Sequence, residues 1–228
     1  MARMARIVIP GVPHHVVQRG NRRQRTFFSS GDRLLYLQLL KQGARQFGVD
    51  VWSYCLMDNH VHLVLVPPTE SSLSDCMGWV HFNYSRRVNS RQGWTGFLWQ
   101  GRYFSAPVGE DKVAAVVRYV ERNPVRAGMV PRAEDFVWSS AAARVGGKPD
   151  PLLSRCCLTD EIRDWSSFLQ SEDCRQASAE LRARTRTGRP LGSPEFVAQL
   201  ELRTGRRLLP SPPGRPKKGK TRDTRPIF

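Results

Sequence analysis

The sequence predicts an α+β domain: an antiparallel sheet in the split βαββαβ, ferredoxin-like order with one added helix, then a small helical extension and a basic tail. Three observations carry this. β-rich runs and helix-period segments follow one another as strand, helix, strand, strand, helix, strand, helix. A two-residue polar step, Asp58-Asn59, joins two of the strands directly. Near residue 145 the texture changes, and VGGKPDP reads as a linker.

The first strand is HHVVQRG, residues 14–20, which runs into a basic loop. Over 32–47, Tyr36, Leu40, Ala44 and Phe47 recur at helical spacing, and Gly48 ends the helix. Residues 51–57 form the second strand. Asp58 and Asn59 tolerate left-handed backbone and turn the chain into a third strand that begins His60-Val61-His62. A second helix is expected over 71–89, a fourth strand over 97–108, and a third helix over 110–122 that Asn123-Pro124 stops. Short helices are expected over 159–169, 172–186 and 193–203. The chain therefore divides into a catalytic domain over 1–145, a helical extension over 146–205 and a disordered basic tail over 206–228.

Charge is the dominant global feature. Thirty-six Lys and Arg stand against 20 acids, a net of +16, and residues 203–228 hold nine basic residues and one acid. A polyanion is the expected partner. Charge alone suits RNA, DNA or a membrane surface, but arginines interleaved with aromatic residues favour stacking on unpaired bases. Arg19, Arg22, Arg23 and Arg25 cluster after the first strand, and Arg86 and Arg87 fall in the second helix. Trp99, Arg102 and Tyr103 offer further stacking and phosphate contacts. Gly214-Arg215-Pro216-Lys217 has the look of an AT-rich minor-groove hook, but an unspecific charged tail is the stronger reading. No apolar run reaches the roughly 18 residues that a membrane span requires, and the start of the chain does not read as a secretory signal. A cytoplasmic, nucleoid-associated protein is expected. Five cysteines without a CxxC pair indicate neither a disulfide framework nor a zinc knuckle.

The candidate chemistry starts from the third strand. Side chains alternate along a strand, so His60 and His62 leave the backbone on the same face and can grip a divalent transition ion. The pair alone also fits ordinary surface histidines. In the split order the first and third strands are neighbours, which brings His14 or His15 near the pair, although these two adjacent residues face opposite ways and suit packing or phosphate contact better than ligation. In the third helix Val113, Val116, Val117 and Val120 mark the buried stripe, while Tyr119 and Asn123, four apart, share a flank. A tyrosine hydroxyl beside a metal-bound phosphate is a nucleophile, an Asn amide oxygen one turn later can complete the ion's shell, and Arg118, Arg122 and Arg126 can hold a nucleic-acid backbone. Tyr84, in HFNYSRR, is the rival nucleophile.

MDNHVHLVL resembles the HUH motif of single-tyrosine transposases, and RYVERNPVRAGMV resembles the catalytic helix of their REP-associated branch. HHVVQRGNRRQRTF, LWQGRYFSAPV and TGRPLGSPEFV are similar to other signature stretches of that branch. By this resemblance, which runs from about Val8 to Trp138, His60 and His62 match metal-binding histidines, Asn123 the third metal-binding position and Tyr119 the nucleophile. It implies cleavage and rejoining of single-stranded DNA at hairpin palindromes through a 5′-phosphotyrosine, with Mg²⁺ or Mn²⁺. A monomer is favoured over a homodimer. Two other readings stay open: a domesticated hairpin-binding host protein with little or no transposition activity, and a metal-dependent nuclease that uses water.

Overall fold

The computed structural model describes residues 6–171 and 174–209. Four antiparallel strands, β1 (His14–Arg19), β2 (Asp50–Met57), β3 (His60–Val66) and β4 (Phe104–Pro107), form one sheet in the order β2-β3-β1-β4. This is the expected split arrangement, with β1 and β3 at the centre. The β1–β3 register pairs His15 with Val64, Val17 with His62 and Arg19 with His60.

Period-two alternation assigns the two faces. Val16, Leu56, Val61, Leu63 and Leu65 pack on one side against Tyr36, Leu40, Leu73, Met77, Val80 and Tyr84 of the helices α1 (Ser30–Phe47) and α2 (Ser72–Gln92). A capping box between Ser29 and Asp32 starts α1, and Gly48, left-handed at φ 66°, ends it. On the other side Cys55, Met57 and Val64 meet Val113, Val116, Val117 and Val120 of α3 (Glu110–Glu121). The added helix thus closes a third layer and turns its flank toward the face that carries His60 and His62.

After α3 come α4 (Asn123–Arg126), α5 (Ala141–Val145), α6 (Leu158–Glu161), α7 (Trp165–Gln170), α8 (Arg175–Thr187) and α9 (Pro194–Thr204). Phe136, Trp165, Leu181 and Leu191 from these segments complete the α3-side layer, and α8 lies against β4 and β1. Leu191 is stitched to the end of β4, where its N–H donates to the Pro107 carbonyl at 2.9 Å and its carbonyl accepts from Gly109 at 2.8 Å. There Gly192 and Gly109 lie so close beneath Phe196 that a Cβ on Gly192 would meet that ring at 2.4 Å. Ile7, Ile9, Val197, Leu200 and Leu208 form a separate small cluster. The rest of the basic tail, with the 214–217 hook, lies outside the described residues.

Three local expectations differ. The fourth strand is only 104–107, because Gly101 at φ 59° turns the chain and the Trp99 backbone bridges Gly20 instead. Asp58 and Asn59 do turn in two residues, yet neither has positive φ. Their carbonyls are held from outside, by Gly20 N–H at 2.8 Å and by Thr26 and Phe27 N–H at 2.9 and 3.2 Å, so no left-handed residue is needed. The expected helix over 159–169 is two short ones, α6 and α7, and Asp164 caps the second by accepting from Ser167 N–H.

Candidate active site

His60 and His62 open onto a cavity of about 600 Å³ that is also lined by His15, Tyr119 and Asn123 and rimmed by Arg19, Arg23, Arg126, Arg182 and Arg186. The elements explain the convergence. The hairpin mouth delivers both histidines, α3 delivers Tyr119 at its last turn, and the chain runs on through Arg122 into α4 with helical hydrogen bonds, setting Asn123 one turn after Tyr119. The Tyr119 and His62 ring centroids are 5.9 Å apart at 72°. Tyr119 is equally near His15, at 5.9 Å and 82°, and the Arg126 guanidinium lies over the Tyr119 ring, 3.7 Å from its centroid.

Each imidazole of the site is held by its neighbours. His60 Nδ1 is 2.6 Å from Asn59 Oδ1, and Asn59 Nδ2 donates to the Arg23 carbonyl at 3.0 Å. His62 Nδ1 is 3.0 Å from His15 Nε2, with ring planes 10° apart and centroids 5.3 Å apart, an edge-to-edge pairing in one plane. His15 Nδ1 in turn meets Thr185 Oγ1 of α8 at 2.8 Å, and that hydroxyl donates to the Leu181 carbonyl at 2.8 Å. Burial lowers the pKa of His60 to about 4 and of His15 to about 3, with Arg19 adding to the first and Arg126 to the second. Burial also pulls His62 well below its ordinary value, helped by His60, His15 and Arg126. All three are neutral at pH 7, the form in which an imidazole binds a metal.

The donor set fits a divalent ion held by two imidazoles and an amide. Among the described residues no group of three or more His, Cys, Asp or Glu is arranged to hold a metal, and His15 is committed at both ring nitrogens, so a third ligand must be of another type. Asn123 is 8% exposed, and its Nδ2 donates to the Tyr119 and Val120 carbonyls at 3.1 and 3.2 Å, leaving Oδ1 as the atom able to coordinate.

The remaining expected residues divide. Arg19, Arg23 and Arg126 line the cavity, with Arg22 and Arg25 exposed on the same loop. Arg22 and Arg23, at φ 52° and 62°, are the only left-handed non-glycine positions among the described residues, a strained backbone at the rim of the site. Arg118 and Arg122 instead reach Ser171 after α7, tying α3 to that segment, and Arg118 sits over the Phe168 ring. Arg102 belongs to a second cavity of about 890 Å³ with Gln18, His81 and Tyr103. Trp99, 6% exposed and packed on Tyr36, His81 and Tyr84, is core, and what remains of its surface lines that same second cavity. Tyr84 is fully buried, its hydroxyl donating to the Thr26 carbonyl at 2.6 Å in the α1–α2 layer, which removes the rival nucleophile. His14 turns to the opposite face from His15 and bonds Val12 and Ile9. Sequence reading missed Arg182, Thr185 and Arg186. They lie in a polar helix whose spacing carries no hint of a site.

Residues 10–123, half of the chain, match the family model described as "Transposase IS200 like". The chain belongs to the IS200-like transposase family. Among solved structures, this transposase is similar to a REP-associated tyrosine transposase bound to a REP hairpin, with a TM-score of 0.56 and 16% identity over 68% of this chain and 93% of that one. At that identity the likeness is one of fold, and it confirms the α+β architecture. A candidate transposase from Deinococcus radiodurans R1 is 21% identical over 53% of this chain and 97% of that one, with a TM-score of 0.38. No curated protein sequence matches. No helix of this transposase among the described residues is long and apolar enough to cross a membrane.

Proposed function

We propose that this IS200-like transposase belongs to the REP-associated branch and cleaves and rejoins single-stranded DNA beside hairpin-forming palindromes, with Tyr119 as the nucleophile. The observation that carries the reading is the meeting of Tyr119, His60, His62 and Asn123 in one arginine-rimmed cavity while Tyr84 is sealed in the core. The Tyr119 oxygen attacks the scissile phosphorus as the P–O3′ bond breaks. The phenol proton is given up, the departing 3′ oxygen ends as a hydroxyl, and the 5′ side stays on the protein as a phosphotyrosine. One phosphodiester replaces another, so a DNA 3′-hydroxyl can run the step backward and no nucleotide is consumed.

A divalent ion, Mg²⁺ or Mn²⁺, bound by His60, His62 and Asn123 would neutralise charge gathering on the phosphate oxygens. Arg126 restrains the Tyr119 ring, and Arg19, Arg23, Arg182 and Arg186 supply positive charge for the backbone on either side. The hairpin preference is supported by the fold shared with the REP-associated transposase, which was solved with a REP hairpin. The test is a labelled single-stranded hairpin incubated with Mn²⁺. The unmodified protein should form a covalent protein–DNA adduct and Tyr119→Phe none, with DNA binding largely kept. An adduct that survives Tyr119→Phe, or cut ends without any adduct, would overturn the assignment.

A further inference from the structure

A neutral imidazole has one N–H and one lone pair, and only the lone pair can bind a metal. Which nitrogen of His62 carries the proton therefore decides whether its cavity-facing edge is a ligand or a donor. The hydrogen bonds determine this from a distance. Thr185 spends its only proton on the Leu181 carbonyl, so its oxygen can only accept from His15 Nδ1–H. His15 then has its lone pair at Nε2, and that lone pair accepts from His62 Nδ1–H. His62 is left with its lone pair at Nε2. The same logic applies at His60, where the Asn59 amide nitrogen is engaged by Arg23, so Oδ1 accepts from His60 Nδ1–H and frees Nε2.

We propose that His15 and Thr185 are positioning residues for the metal centre: a relay from the Leu181 carbonyl through Thr185 and His15 holds His62 in the tautomer that presents Nε2 to the ion. The inference rests on the reading of His60 and His62 as ligands, and it gives α8 a role in the catalytic centre. Neither residue touches DNA or metal in this role. Thr185 is 4% exposed and His15 1%, so water does not compete for the relay, and the in-plane geometry of the two rings leaves His62 little rotational freedom.

Nitrogen-15 NMR of the histidine rings in the metal-free protein reads the tautomer without any substitution. His62 should be protonated at Nδ1 and bare at Nε2, and the reverse pattern would overturn the relay. Mn²⁺ titration followed by electron paramagnetic resonance supplies the second readout. Thr185→Val, nearly equal in volume, should weaken Mn²⁺ binding by about 10-fold or more, and Thr185→Ser should retain it. A Thr185→Val protein that binds Mn²⁺ like the unmodified chain overturns the proposal. Unmodified protein that binds no Mn²⁺ overturns the ligand reading and the relay with it, whereas failure of the tyrosine assignment would appear only in the adduct assay.

Discussion

Arg126 stands over the face of Tyr119 and beside two neutral imidazoles whose protonation it opposes. A cation there does two jobs, since it packs the phenol ring and offers a charge to the phosphate that the phenol would attack. Arg126→Gln should keep the fold, slow adduct formation, and flatten the slope of log affinity for single-stranded DNA against log salt by about 0.7, the share of one phosphate contact. A salt titration with an unchanged slope would show that Arg126 acts on the ring alone. The positions that lend themselves to reading from the chain alone are those governed by short-range periodicity. The i,i+2 spacing put His60 and His62 on one strand face, and the i,i+4 spacing put Tyr119 beside Asn123. Thr185 is 170 residues from His15, and nothing local in QASAELRARTRT distinguishes a threonine that receives a buried imidazole from one that faces water.

At the scale of elements, the helix that carries Tyr119 is anchored by its own last residue. Glu121 is fully buried, and its Oε1 accepts from Ser140 Oγ at 2.6 Å, Ser53 Oγ at 3.2 Å and Arg144 Nε at 3.0 Å, tying α3 to β2 and to the start of α5. Burial raises the Glu121 pKa, and Arg144 with the two hydroxyls opposes that rise. Removing either charge strands the other in the interior. Arg144→Ala should cost about 3–5 kcal/mol in urea unfolding. A loss near zero would mean that Glu121 is already neutral in the folded protein. The strand and helix order was legible because long periodic segments survive tertiary context. The extent of β4 was not, since aromatic and aliphatic residues recur on both sides of Gln100-Gly101-Arg102 and only the left-handed Gly101 separates its paired part from a loop. The hairpin turn was placed correctly but for the wrong local reason, as contacts from 20–27 hold it where residue preference was expected to.

For the whole molecule, every one of the five histidines has a lowered pKa, and two of them, His14 and His81, lie away from the face that carries His60 and His62. Burial brings His14 to about 4 and His81, bonded to the Tyr36 hydroxyl at 3.1 Å, to about 3. In the unfolded chain both would take up a proton near pH 6.5, so unfolding binds protons throughout the interval between. The contribution of these two histidines to stability is therefore full above about pH 6.5 and is lost as the pH drops toward 4. The expected loss is about 1–2 kcal/mol per histidine at pH 5, measured by denaturant titration at constant ionic strength. A flat profile from pH 7 to 5 would contradict the burial of these rings. His81→Gln should shallow the decline.

The stretch that aligns with the family stops at residue 123, whereas the hydroxyl that ends the histidine chain belongs to residue 185. A chimaera joining residues 10–123 to another relative's carboxy-terminal third would inherit the claw without its brace. On the proposed relay, divergence in that third would tune how firmly an ion is gripped while His60, His62 and Asn123 stay the same.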